Sequence, residues 1–329
     1  MDIEKAIKNL KLRGFAVKHF ASGAEAAEYL CGEIKNTGVG IGGSKTVEYT
    51  GAISVTKTTV IRAAVPDANS VLQQDNSVTY IFVDDVLNAR DGVVPEGFPA
   101  SGSIPDSYHL GGEPSAQRMV YGMAAVADAD ARDRMIAGLT NSIRTVSIVI
   151  DPEALFGREN GIYVHPRGEG RDWERQTMIE QINPVDGETD EFTVPAGLKI
   201  RGAGSRSTDY PKHAFHVIFR SEYGMGSLEH PLFGAEGADS FERIDFRCSQ
   251  NYAFANGSDY DTYIHDVFSR DTQRDMGEPY HRSRYYNLFI NGVYWGVYQT
   301  EERMCQDYAA TYNGAEPEDY DVVRTEAAD

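Results

Sequence analysis

The sequence predicts an α+β fold, β-rich and mainly antiparallel with a few helices packed against the sheet. Strand-like runs, either wholly apolar or alternating with period two, occur at 145–150, 197–220 and 285–302. Helical spacing of apolar residues is confined to short stretches near 3–10, 27–34, 128–139 and 261–276. The composition agrees: 41% of residues are hydrophobic, enough for a sizeable core, and the 19 tyrosines favour sheet surface over helical bundle.

A chain of 329 residues has room for two or three domains. The formal net charge of -19 argues against a nucleic-acid backbone or an anionic membrane as the main partner. Cys31, Cys248 and Cys305 are too far apart for CxxC spacing, so neither a disulfide framework nor a zinc site is indicated. The first residues are charged and amphipathic without an apolar leader, and no stretch reaches the ~18 apolar residues of a membrane span. The expectation is a cytoplasmic protein with no membrane insertion; the oligomeric state is not legible.

Residues 1–45 read as a short αβαβ unit. Ile3, Ala6, Ile7 and Leu10 form one helical face that Gly14 ends, Phe15 and Val17 suggest a strand, and Ser22 with Glu25 makes a capping box before a second helix through Ile34. The run GVGIGGS then reads as a strand entering a Gly42-Gly43-Ser44 turn. This stretch resembles the opening of a LUD domain, the lactate-utilisation family, and the resemblance stops after Ser44. A charge shift supports a seam there, since residues 1–45 carry a net +2 against -21 for the rest.

Residues 46–87 change period. Ile53 and Val55, then Thr59 and Ile61, alternate around a Thr-Lys-Thr turn, and YIFVDDVL (80–87) reads as a further strand with Asp84 and Asp85 at its solvated end. The segment resembles the tail of a chitobiase C-terminal-type β module, a β-sandwich remnant serving as spacer. Residues 88–144 are rich in Gly, Pro, Ser and Asp and read as a linker, closed by a helix around 128–139. TVSIVI (145–150) is a buried strand. Beyond it a strand pair is expected within 151–184, with His165, Arg167 and Arg171 in a Gly-rich loop.

The stretch 197–220, GLKIRGAGSRSTDYPKHAFHVIFR, is a strand, a small-residue loop and a second strand opened by Lys212. A Gly/Ser loop exposes backbone N–H groups, and a nearby ammonium completes a phosphate cradle, although such loops are also ordinary hairpin turns. Residues 261–276 read as a helix with Ile264, Val267, Phe268 and Asp271 at i, i+3, i+4, i+7, on which Arg270, Asp271 and Arg274 form an ion-pair set or take a catalytic role. Asn291-Gly292 between 285–290 and 293–302 is the strongest hairpin signal in the chain. On the return strand Tyr294, Gly296, Tyr298, Thr300 and Glu302 are expected on one face, opposite Trp295, Gln299 and Glu301.

From about 145 to 325 the ordered blocks SIVIDPEALFGRENGIYV, GLKIRGAGSRS, PKHAFHVIFR, HPLFGAEGADSFERIDFR, VFSRDTQRDMGEPYHRSRYYNLFINGVYWGVYQTEER and DYDVVR resemble the CotH family of spore-coat-type atypical protein kinases. The resemblance implies a kinase-like N-terminal lobe over 145–329 that phosphorylates Ser or Thr of a protein substrate with ATP and Mg²⁺. It implies that Arg201, Gly202, Gly204, Ser205 and Ser207 contact the nucleotide. Lys212 would be the phosphate lysine or a surface lysine; Glu302 would pair with Lys212, contact the nucleotide, or end a solvated strand. The family's downstream Trp-Asp-Phe-Asp type motif does not occur in residues 1–329, so the expectation is a lobe without its catalytic carboxylates. A non-catalytic surface or interaction protein built of β modules is the alternative, and a LUD-type protein a further one.

Overall fold

The computed structural model describes residues 38–41, 45–48, 53–64, 76–90, 92–122, 128–183, 190–250 and 262–323. The helices expected in 1–37 and the Gly42-Gly43-Ser44 turn lie outside the described residues, as does the end of DYDVVR.

Two β structures are stacked. The first is a four-stranded antiparallel sheet, ordered β2-β1-β3-β4, from β1 (Gly38–Ile41), β2 (Lys45–Glu48), β3 (Thr59–Ala64) and β4 (Asn76–Tyr80). The expected Thr-Lys-Thr hairpin is not formed: residues 53–58 carry no strand, and β3 instead pairs with β1 and β4. The strand expected over 80–87 ends at Tyr80. Val83–Leu87 is a helix, α1, with Asp84 and Asp85 in its first turn, where carboxylates oppose the exposed N–H groups favourably.

The second is a closed seven-stranded barrel, ordered β11-β13-β12-β5-β6-β7-β8. Its strands are β5 (Thr145–Ile150), β6 (Arg175–Ile182), β7 (Phe192–Arg201), β8 (Ala214–Ile218), β11 (Arg243–Arg247), β12 (Ser283–Ile290) and β13 (Val293–Glu302). A small ribbon, β9 (Leu228–Glu229) with β10 (Ser240–Phe241), bridges β8 to β11. Every barrel pairing is antiparallel except β5 with β12. Mixed α+β architecture with mainly strands is thus correct, and the antiparallel sheet closes on itself, which removes its edges.

The alternation in the sequence explains the closure. Ile148, Ile150, Ile179, Leu198, Phe215, Val217, Ile244, Phe246, Leu288 and Tyr298 fill the interior with almost no exposure. β5 is buried along its whole length because its second face meets the first sheet: Val149 packs with Met178 and Val60, and the Thr79 hydroxyl donates to Ser147 Oγ at 2.8 Å. The Asn291-Gly292 turn forms as expected, both residues at positive φ (47° and 81°). Asn291 also holds the hairpin to β5, accepting from Ile150 N (2.9 Å) and donating to Ile150 O (2.8 Å).

Among the described residues five α-helices decorate this frame: α1, α2 (Ala129–Ala137), α3 (Pro152–Phe156), α4 (His265–Asp275) and α5 (Gln306–Asn313). α2 continues into a π-helical turn at Gly138–Ser142. In 151–174 the expected strand partner of β6 is replaced by α3, a short helix capped by Asp151 with Pro152 at its first turn. The expected linker is in part a lid. Phe98 and Tyr121 pack on Phe156 and Trp295, and Tyr121 donates to Pro99 O at 2.7 Å, closing one barrel end. Among the described residues no helix is long and apolar enough to cross a membrane.

Candidate functional site

Charged residues concentrate on the outer face of β7, β8, β11 and β13, where α4 lies across them. Alternation puts Arg201 of β7, His216 of β8, Asp245 and Arg247 of β11, and Gln299 and Glu301 of β13 on this side, with their apolar neighbours inside. Register sets Asp245 directly opposite Glu301. Two carboxylates at that spacing repel, and both are almost fully buried, at 1% and 3% exposure.

Guanidinium groups make the pair tolerable. Arg201 bridges both acids, with Nε 2.6 Å from Asp245 and a terminal nitrogen 2.9 Å from Glu301. From α4, Arg270 reaches Glu301 at 2.5 Å and donates to Gln299 at 2.7 Å, while Asp266 pairs with Arg247 at 2.5 Å. His216 Nδ1 donates to Asp245 at 2.5 Å, and Arg303 lies 3.7 Å from it. Burial pushes the Asp245 carboxyl up, but the His216 bond and the Arg201 and Arg303 charges outweigh it and hold it below the usual carboxylate range. The result is a buried, arginine-rich surface around Asp245 and Glu301.

The Gly/Ser loop closes one end of this face. Gly202 sits at φ 93°, exposed, and its neighbours turn through a 3₁₀ segment at Gly204–Arg206. At Gly204 a Cβ would stand 2.3 Å from Gln250 Nε2, the end of a flexible side chain that can shift to admit it. The serines face inward. Ser205 donates to Arg201 O at 2.7 Å, and Ser207 donates to Asp209 at 2.8 Å while accepting from Leu110 N at 3.0 Å. Both hydroxyls brace the loop and are buried, so they are not presented to a ligand.

At the other end, a cavity of about 450 Å³ opens between β10–β11 and α5, lined by Phe241, Arg243, Glu302, Arg303, Tyr308 and Tyr312 among others. Arg303 belongs to both places, since it lines the cavity and approaches Asp245. Glu302 is buried there, bound by Arg282 through its backbone N–H and guanidinium, each at 3.0 Å, and by the Tyr312 hydroxyl.

Lys212 and Glu302 do not pair. Lys212 lies before β8 begins, its ammonium 3.6 Å from the centroid of the Trp295 ring and donating to Val120 O at 2.6 Å. A strand rise of about 3.3 Å per residue separates Trp295 from Glu302 by on the order of 20 Å. The assignment of faces along β13 is also corrected. Leu288 pairs with Gly296 but Phe289 with Tyr294, so Trp295 is a bulge residue; it joins Tyr298 in the core while Tyr294 packs outside on Phe289. Lys212 thus sits under the 98–121 lid, where loss of solvent pulls its pKa down to about 7.

The sequence reading placed Arg201 among the ligand contacts and singled out Arg270, but missed Asp245 and Glu301, the acids that Arg201 joins, and Arg247 beside them. The signal was R-I-D-F-R, whose alternation sets Arg243, Asp245 and Arg247 on one face of a strand.

The described residues do not fit the Mg²⁺ that the resemblance implies. Among them no three His, Cys, Asp or Glu gather where they could hold a metal, and Asp245 and Glu301 already face guanidinium groups. Residues 198–328 match a family model described as CotH kinase protein. No curated protein matches the chain.

Proposed function

On the match of residues 198–328 to the CotH kinase family model, we propose that this barrel is the nucleotide-binding lobe of a CotH-like atypical protein kinase, serving transfer from ATP to a Ser or Thr of a protein. The observation that carries the reading is the strand order β7-β8-β11-β13-β12, with the glycine turn between the first two strands and α4 between β11 and β12. Protein kinases cover the phosphates with a Gly-rich loop and pair a cation on the third strand of the upper lobe with a carboxylate of the following helix. Arg247 and Asp266 occupy those two roles here.

The ligand's parts find complementary chemistry in order along the outer face. The cavity beside Phe241, Tyr308 and Tyr312 suits a purine ring in size and character. Arg243 and Arg303 at its mouth, then Arg201 and Arg247, lead toward the glycine loop and offer charge to phosphates. Arg201 and Gly202 remain the contacts from the predicted loop; Glu302 shapes the cavity wall through Arg282 and Tyr312.

A thermal-shift titration tests this. Millimolar ATP is expected to raise the melting temperature, and Arg243→Ala, whose own partners are the half-exposed Glu242 and Asp307, is expected to weaken binding about tenfold. No stabilisation by ATP, with or without Mg²⁺, would remove the nucleotide reading.

A further inference from the structure

α4 is mounted inside out. None of its residues is buried, and it is held to the barrel by charge: Asp266 to Arg247, Arg270 to Glu301 and Gln299, and Arg274 to Glu236 at 3.6 Å. Its apolar side chains point the other way. Phe268 is 71% exposed and Ile264, one turn before it, 52%. Asp271 and Asp275 continue the same face at i+3 and i+7 from Phe268, with side chains 48% and 70% exposed. Arg274, on the exposed side of the helix, is already matched by Asp271, Asp275 and Glu236, and the exposed His265 is engaged as well.

We propose that this face docks a protein segment carrying apolar side chains flanked by Lys or Arg. Ile264 and Phe268 would receive the apolar anchors, and Asp271 and Asp275 the flanking cations. Charge decides among occupants. A second copy would bring the same carboxylates against themselves in a chain of net charge -19, and an anionic membrane meets the same repulsion. A basic amphipathic segment satisfies both the apolar and the acidic halves of the face. The site lies on the side of α4 turned away from the barrel, apart from the cavity beside Phe241, Tyr308 and Tyr312.

The probe is a fluorescein-labelled amphipathic peptide of Leu and Lys at helical spacing, followed by anisotropy with the whole chain. Binding is expected to weaken at least about tenfold in the double variant Ile264→Ser/Phe268→Ser and in Asp271→Lys/Asp275→Lys, and to fall with salt. Val322→Ser/Val323→Ser, at another exposed apolar site, is expected to bind as the parent does. Equal affinity in the α4 variants, or equal binding of a peptide with Glu in place of Lys, overturns the proposal. So does a dimer in sedimentation that Phe268→Ser abolishes, since a second copy would then be the occupant.

Discussion

Arg201 joins two carboxylates that strand register forces together, and its removal leaves both without their shared cation. Breaking one partner of such a buried set costs about 3–5 kcal/mol, because the remaining charges keep their desolvation penalty. Arg201→Met is therefore expected to lower the unfolding free energy measured in urea by an amount of that order, while Asp245→Asn in the Arg201→Met background recovers part of it. A double-mutant cycle in which the two losses simply add would refute the coupling. Lys212 makes the opposite case, a cation with a π face and a carbonyl but no carboxylate among its contacts. Its folded pKa of about 7 lies below the unfolded value near 10.4. Between those values the unfolded chain binds more protons, so this residue makes stability rise as pH climbs from about 7 to about 10. Lys212→Met is expected to flatten that rise; an unchanged slope in the variant would show that the ammonium is not desolvated in the fold.

The β12–β13 hairpin shows what was legible in the sequence at the scale of elements and what was not. Asn291-Gly292 announces the turn because few other residue pairs accept positive φ at both positions. The bulge at Trp295 left a weaker trace, a single glycine in a strand, and reading β13 as a regular strand placed Trp295 on the wrong side. Gly296 is held at φ 122° with no atom near its missing Cβ, so Gly296→Ala meets backbone strain and no clash. A loss of about 1–2 kcal/mol in chemical denaturation is expected; a neutral substitution would mean the bulge relaxes. The fate of α4 was illegible for a different reason. Its apolar spacing through Ile264 and Phe268 is that of a core-facing helix, and only the tertiary pairing of Arg270 with Glu301 and Asp266 with Arg247 turns that face outward. Likewise 98–121 has no period to read, yet its aromatic residues close the barrel over Lys212.

For the whole molecule, the two β structures meet at Glu180, a carboxylate of β6 that accepts from Thr79 N of β4 at 2.9 Å. Burial raises its pKa, outweighing the Thr79 bonds, and Glu191 adds repulsion. A carboxyl whose folded pKa lies above its unfolded value binds more protons in the fold, so stability falls as pH rises from about 4.3 through the folded value. The junction between the sheets therefore holds a poorly solvated carboxyl, bonded to Thr79 and repelled by Glu191. Glu180→Gln keeps an oxygen for Thr79 N and removes the charge. The variant is expected to be more stable than the parent at pH 7, with the difference shrinking toward pH 4, where the parent's own carboxyl is protonated. Urea unfolding at the two pH values reads this directly. A variant less stable at pH 7 would mean that the ionised carboxylate, through its bond to Thr79, is what fastens the four-stranded sheet to the barrel.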